Sequence, residues 1–258
     1  MTEEQSDAMQ TDIIPAADGQ RLRASRVALV TGGARGLGAA IGRELARAGV
    51  YVVLADLDAP GVTARVRDLR GEGFAAAGLG LDVADAGQAA GALAQLKERL
   101  GRLDILVNNA GVDVTAPFDE IDAPAWDRVL DVNLRGPANV TRAALPHLTT
   151  GSTIINITST AAKRAWRNAS AYHASKWGLL GFSHALHAEL RTRGIRVTAI
   201  VCGGMRTPFL TERFPDLDLG QLMDPSRVAS AIRWIVDLPT DVAAAELILV
   251  PLTEASWP

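Results

Sequence analysis

The chain of 258 residues is 48% hydrophobic with a formal charge of −3, enough apolar material for one large α/β domain or two small ones. Five acids and two arginines fall within residues 1–24 and the remainder balances to zero, so neither a nucleic-acid nor an anionic-membrane surface is expected. No apolar run approaches the roughly 18 residues that cross a bilayer, the acidic start does not resemble a signal peptide, and the lone Cys202 excludes an intrachain disulfide and points to a reducing cytoplasm.

Residues 1–24 carry no core pattern and are read as a flexible extension; a single domain is expected over residues 25–258. From residue 26, short apolar runs alternate with longer segments of helical period. "RVALVTG" (26–32) predicts a buried strand, residues 36–48 a helix, "YVVLAD" (51–56) a second strand and residues 58–72 a charged helix. "FAAAGLGLDV" (74–83) contains a weak third strand, because its Ala and Gly lower the propensity. A helix over 85–100 leads to "LDILVNNAG" (103–111), then come a long helix over 124–148 and "STIINITS" (152–159). A helix over 170–192, "IRVTAIV" (195–201), a helix over 225–237 and "ELILV" (246–250) complete the series. About seven strands alternating with helices predict a doubly wound parallel sheet of the Rossmann type, with helices on both faces.

"TGGARGLG" (31–38) follows the first strand and opens the first helix. In that place its glycines allow a tight turn and close backbone approach to a pyrophosphate, which the helix N-terminus then receives. Ala39 and Ala40 stand where a nucleotide-triphosphate loop would need Lys and Ser/Thr. Asp56 ends the second strand 18 residues beyond Gly38, placed to accept from an adenosine ribose. Asp82 reads either as an adenine contact through its own or Val83's backbone, or as a cap of the next helix.

The chain has two tyrosines and three lysines, yet Tyr172 and Lys176 stand one helical turn apart in "SAYHASKWG" (170–178) and share a face. With Ser159 13 residues before Tyr172, "NNAG" (108–111), Asn133 and the glycine pattern, the chain resembles the short-chain dehydrogenase/reductase family over residues 26–250. The resemblance implies that Tyr172 is the acid/base, Lys176 its activator, Ser159 the substrate-oxygen binder and Asn133 the anchor of a relay water. A nearby ammonium should lower the phenol pKa from its usual value near 10, and Lys suits this better than Arg because it is a compact point charge.

The implied cofactor contacts are Thr31, Gly32, Arg35, Gly36, Leu37 and Gly38, then Asp56, Leu57, Asp82 and Val83, then Asn109, Ala110 and Gly111, with Tyr172, Lys176, Gly203, Met205 and Thr207 at the reactive end. Asp56 should bond a ribose 2′-hydroxyl and repel a 2′-phosphate while Arg35 pulls the other way, so NAD(H) is expected over NADP(H). Arg164, Trp166 and Arg167 lie where family members line the pocket mouth, with ordinary solvated loop charge as the alternative for the arginines. Cys202 replaces the family's usual proline in "VCGGMRTP" (201–208), and residues 207–224 are read as a short substrate lid. His184 and His187 at i, i+3 have no third ligand, so no metal is expected.

The expectation is an NAD(H)-dependent enzyme interconverting a secondary alcohol and a ketone. Paired long helices over 124–148 and 170–192 would give a homodimer or homotetramer, as the resemblance implies. An isomerase or dehydratase of the same fold, and a dinucleotide-binding regulator without turnover, are the alternatives.

Overall fold

The computed structural model describes residues 26–254; the extension read over 1–24 lies outside them. The apolar runs form β1 (Val27–Thr31), β2 (Tyr51–Asp56), β3 (Ala76–Gly80), β4 (Ile105–Asn108), β5 (Thr153–Ser159), β6 (Arg196–Cys202) and β7 (Glu246–Leu249). They pair in parallel in one sheet of order β3-β2-β1-β4-β5-β6-β7. A chain that leaves β1 toward β2 and later returns to β4 on its other side opens a crevice at their carboxyl ends, where α/β sheets bind ligands.

Successive residues of each strand serve opposite faces, so both faces need apolar cover. Val27 and Leu29 join a core with α3 (Ala86–Leu100), while Ala28 and Val30 join a second core with α1 (Gly36–Arg47) and α2 (Ala59–Gly71). The α6 helix (Ser170–Leu190) closes the first face, and α8 (Pro225–Val236) the second. Aspartates start several helices: Asp58 accepts from Gly61 N at 3.0 Å and Asp85 from Gly87 N at 2.8 Å. The cap of α3 is therefore Asp85, and the capping alternative for Asp82 is set aside.

The single helix expected over 124–148 is instead α4 (Ala123–Leu130), a π turn at Asp131–Arg135 and α5 (Gly136–Ala144). Pro137 explains the break, since it has no N–H for the carbonyl four residues earlier and its ring crowds that carbonyl. That carbonyl belongs to Asn133.

The weak β3 composition has a packing cause. A Cβ on Gly78 would lie 2.6 Å from Val62 Cγ1 and 3.2 Å from Val66 Cγ2 of α2. Gly78→Ala should accordingly destabilise the fold by about 1–3 kcal/mol through overpacking. Denaturant unfolding reads this directly, and an unchanged midpoint would show that α2 shifts freely.

Candidate active site

A continuous cleft of about 1050 Å³ runs along the carboxyl ends of the strands, from Asp56 and Leu57 at one end to Phe209 and Arg213 at the other. Its floor is a set of cross-links between β1 and β4. Thr31 Oγ1 accepts from Asn109 N at 3.0 Å and Ala110 N at 3.1 Å, and Asn109 Nδ2 donates to the Thr31 and Gly32 carbonyls at 2.9 and 3.1 Å. Asn108 Nδ2 donates to Thr141 Oγ1 and to Asn156 Oδ1 of β5, so both amides tie structure together.

This floor leaves no room for a side chain at Gly32 or Gly38. Gly32 has φ +66° with its missing Cβ 2.8 Å from Ala110 Cα, and a Cβ on Gly38 would run into the Gly32 carbonyl. Gly36 (φ +56°) faces Thr207. A turn stripped of Cβ atoms at the N-terminus of α1 fits a dinucleotide pyrophosphate. Beside it, the Asp56 carboxylate accepts from Ala34 N at 3.0 Å and Asp58 N at 3.1 Å, which locks its orientation. Arg35 projects outward, 62% exposed, and pairs with Glu212 at 2.6 Å. Asp82 and Val83 line the same end of the cleft, with Asp82 bonding Ala84 N and pairing with Arg128 at 3.2 Å.

At the other end α6 places Tyr172 and Lys176 on its buried face, against β5. Ser159, at the end of β5, stands beside the Tyr172 phenol, and its hydroxyl accepts from Ala161 N at 3.1 Å. Lys176 Nζ donates to the Ile157 carbonyl at 3.0 Å and lies 5.5 Å from the centre of the Tyr172 ring. The expected lowering of the phenol pKa is not what this environment produces. Burial pushes it up, Ser159 draws it partly back, Asp113 pushes it up again and Arg213 draws it down. Burial likewise pulls the Lys176 ammonium down to about 8, opposed by Cys202 and Asp113.

Asn133 is fully buried and its side chain is committed. Oδ1 accepts from Val112 N at 2.8 Å, while Nδ2 donates to Val112 O at 2.8 Å and Ser175 Oγ at 3.0 Å. Both amide atoms bond within the protein and the residue is out of solvent, so the implied role does not fall to the amide. Gly111, Gly203, Met205 and Leu37 line the cleft, whereas Thr31 and Gly38 are buried and do not line it. Cys202 extends β6 beside Leu249, using a ladder position that a proline could not fill.

Of the pocket-mouth residues, Trp166, Arg167 and Asn168 line the cleft, whereas Arg164 is exposed and does not line it. His173 orders that loop, bonding Ala161 O at 2.8 Å through Nδ1 and accepting from Trp166 N at 3.2 Å. Sequence reading missed this, and it missed the ion pair of Asp113 with Arg213 in the cleft wall. Asp113 lies two residues past "NNAG", a signal of position that gave no hint of its partner 100 residues away. His184 pairs with Glu246 at 3.0 Å, and among the described residues no group of three or more His, Cys, Asp or Glu could hold a metal.

The family model for short chain dehydrogenases matches residues 26–218, and the chain belongs to that family of oxidoreductases. It is 41% identical to D-threitol dehydrogenase of Mycolicibacterium smegmatis over 177 residues, 68% of each chain. It is 34% identical to cis-4-hydroxycyclohexanecarboxylate dehydrogenase of Sinomonas cyclohexanicum, covering 82% of this chain and 89% of that one. A variant of the actinorhodin polyketide ketoreductase, solved with NADPH, superposes with a TM-score of 0.82 at 30% identity, covering 89% and 97%. No helix among the described residues is long and apolar enough to cross a membrane.

The depressed Lys176 pKa sets a stability test. Between about pH 8 and 10.5 the unfolded chain holds a proton that the folded lysine has released, so this group makes stability rise with pH there. The stability difference between wild type and Lys176→Met, without cofactor, should grow in favour of wild type from pH 7.5 to 9.5. A difference that stays flat would show that the buried ammonium is not disfavoured.

Proposed function

We infer that the protein interconverts a secondary alcohol and a ketone by hydride transfer with a nicotinamide dinucleotide, using NAD(H) in preference to NADP(H). The observation that carries this is the Tyr172 phenol beside Ser159, one turn from Lys176, in the same cleft as the glycine cradle.

The bound nicotinamide would supply the hydride acceptor or donor. Ser159 holds the substrate oxygen by hydrogen bond. In reduction Tyr172 gives its proton to that oxygen, and the Lys176 ammonium stabilises the phenolate left behind. Burial keeps the phenol protonated at neutral pH, which suits it to act as the acid; in oxidation it must first lose its proton. Any part for Asn133 in returning that proton falls to its main-chain carbonyl, which Pro137 deprives of its α-register donor.

Tyr172→Phe should abolish turnover while leaving NADH binding nearly intact, because only the phenol oxygen is lost. Wild-type oxidation should accelerate as pH rises from 7 toward 9, since more of the raised-pKa phenol is then ionised. Substantial turnover by Tyr172→Phe, or a pH-independent oxidation rate with chemistry limiting, would overturn the assignment.

The cofactor preference rests on Asp56. Two backbone donors fix its carboxylate at the ribose end, where a 2′-phosphate would meet like charge. Arg35 is the group that would oppose this, but it is exposed and paired with Glu212. The NADPH in the actinorhodin ketoreductase weighs against the preference, so the test is direct. Catalytic efficiency with NADH should exceed that with NADPH by roughly 30- to 1000-fold, and Asp56→Ser should narrow the gap. Equal efficiency in the wild type would sink the preference.

Assembly as a homodimer or homotetramer belongs to the same reading. Trp177 on α6 is 54% exposed and Phe118, packed edge-on against Trp126 of α4, is 70% exposed, which gives these elements apolar surface to cover. A cytoplasmic setting rests on the lone cysteine.

A further inference from the structure

The Asp113 carboxylate is the one feature of the cleft wall for which hydride transfer gives no reason. Its side chain is only 6% exposed, and one oxygen takes the Arg213 guanidinium. The other oxygen, Oδ1, is buried and has no hydrogen-bond partner among the described residues. A charged oxygen left without a donor is unfavourable, and proteins rarely keep one without use.

Both members of the pair are held in place. Asn133 clamps Val112, the residue before Asp113, at N and O. Arg213 donates to the Phe209 carbonyl at 2.7 Å and lies 4.2 Å over the Phe209 ring, which itself stacks 5.8 Å from Tyr172. The pair therefore belongs to the reacting end of the cleft, close enough for Asp113 to act on the charge of both Tyr172 and Lys176. Arg213 already neutralises the carboxylate, so a second cation is not called for. A neutral donor is.

We propose that Asp113 is a specificity residue that accepts a hydrogen bond from a second hydroxyl of the substrate, beyond the reacting carbinol or ketone. The substrate class is then a diol, polyol or hydroxyketone rather than a plain aliphatic alcohol or ketone. This rests on the alcohol–ketone reading above and narrows it. A site built around a polar acceptor discriminates strongly against the analogue that lacks the donor, because the acceptor is then left buried and empty.

The test uses pairs matched in carbon skeleton: acetoin against 2-butanone, and butane-2,3-diol against 2-butanol. Wild type should prefer the hydroxylated member of each pair by roughly tenfold or more in kcat/KM, as expected for a hydrogen bond to a charged group. Asp113→Asn should bring the ratio down toward one. A merely structural role for the ion pair would slow both members alike and leave the ratio unchanged, which would overturn the proposal. A wild-type ratio near one overturns it whatever the variant does, including a variant that fails to fold. A second arm needs no turnover: butane-2,3-diol should raise the melting temperature of the NAD-loaded wild type more than 2-butanol does. If neither alcohol turns over yet the diol alone stabilises, the redox reading fails and the Asp113 assignment stands. If both turn over with no preference and equal shifts, the assignment fails alone.

Discussion

The cross-link between the turn after β1 and the end of β4 is the constraint on which the rest of the site depends. Asn109 spans the gap with one amide, and Thr31 returns two bonds through its hydroxyl. These bonds fix the spacing of two parallel strands at the place where the chain departs in opposite directions. They also explain the glycines. With Asn109 Nδ2 standing 2.7 Å from where a Gly38 Cβ would be and 2.8 Å from a Gly32 Cβ, the turn can close over the cross-link only with glycine at these two positions. The anion-binding geometry is thus a consequence of how β1 and β4 are held together. The same tie continues inward, where Asn108 bonds Asn156 on β5 and Asn156 bonds Ser183 on α6. The cradle and the helix that bears Tyr172 are connected through one buried polar chain, whose members are worth most when all are satisfied.

At the reactive end two effects compete, and burial wins. An ammonium beside a phenol favours the phenolate, but removing both groups from water disfavours each charged form. Tyr172 is pushed up and Lys176 down, so the interval between them widens and both resist charging. Lys176 is held off the phenol by the Ile157 carbonyl rather than bonded to it. Such a pair is poised as neutral acid and weakly held cation, the state from which a proton can be given with an ammonium ready to meet the charge that forms.

Much of this architecture was readable in the sequence because it rests on local patterns. Continuous apolar runs mark strands buried on both faces, and the glycine turn and the Tyr-Lys spacing each lie within a few residues. What escaped depends on contacts between distant residues. Pro137 was visible, yet the hydrophobic period of residues 124–148 continues across it, so the π turn at Asn133 did not show. Asp82 and Asp85 are both plausible caps by type, and only the backbone geometry selects Asp85. Arg164 and Arg167 differ by three positions on one loop, and only Arg167 lines the cleft, on a loop tied by His173 and turned at the left-handed Asn168 (φ 63°).

Adjacent lid residues reach opposite walls of the same cleft. Glu212 pairs with Arg35 on the cradle side and Arg213 with Asp113 on the substrate side, so the start of the segment after α7 (Pro208–Thr211) is tied to both walls. The two ties are not equivalent. Both partners of the first are more than half exposed, a setting in which ion pairs contribute about 0–1 kcal/mol and weaken with salt. Arg213 is 23% exposed and Asp113 6%, and breaking a pair that is out of water leaves a charge without compensation. Movement of this segment over the cradle is therefore weakly resisted, while movement away from the reacting end must undo the sheltered pair and the contact of Phe209 with the Tyr172 ring together. Segments of low local stability are those that move. On the proposed reading, the cradle side is then the part free to loosen, and the wall facing Tyr172 the part that keeps its shape.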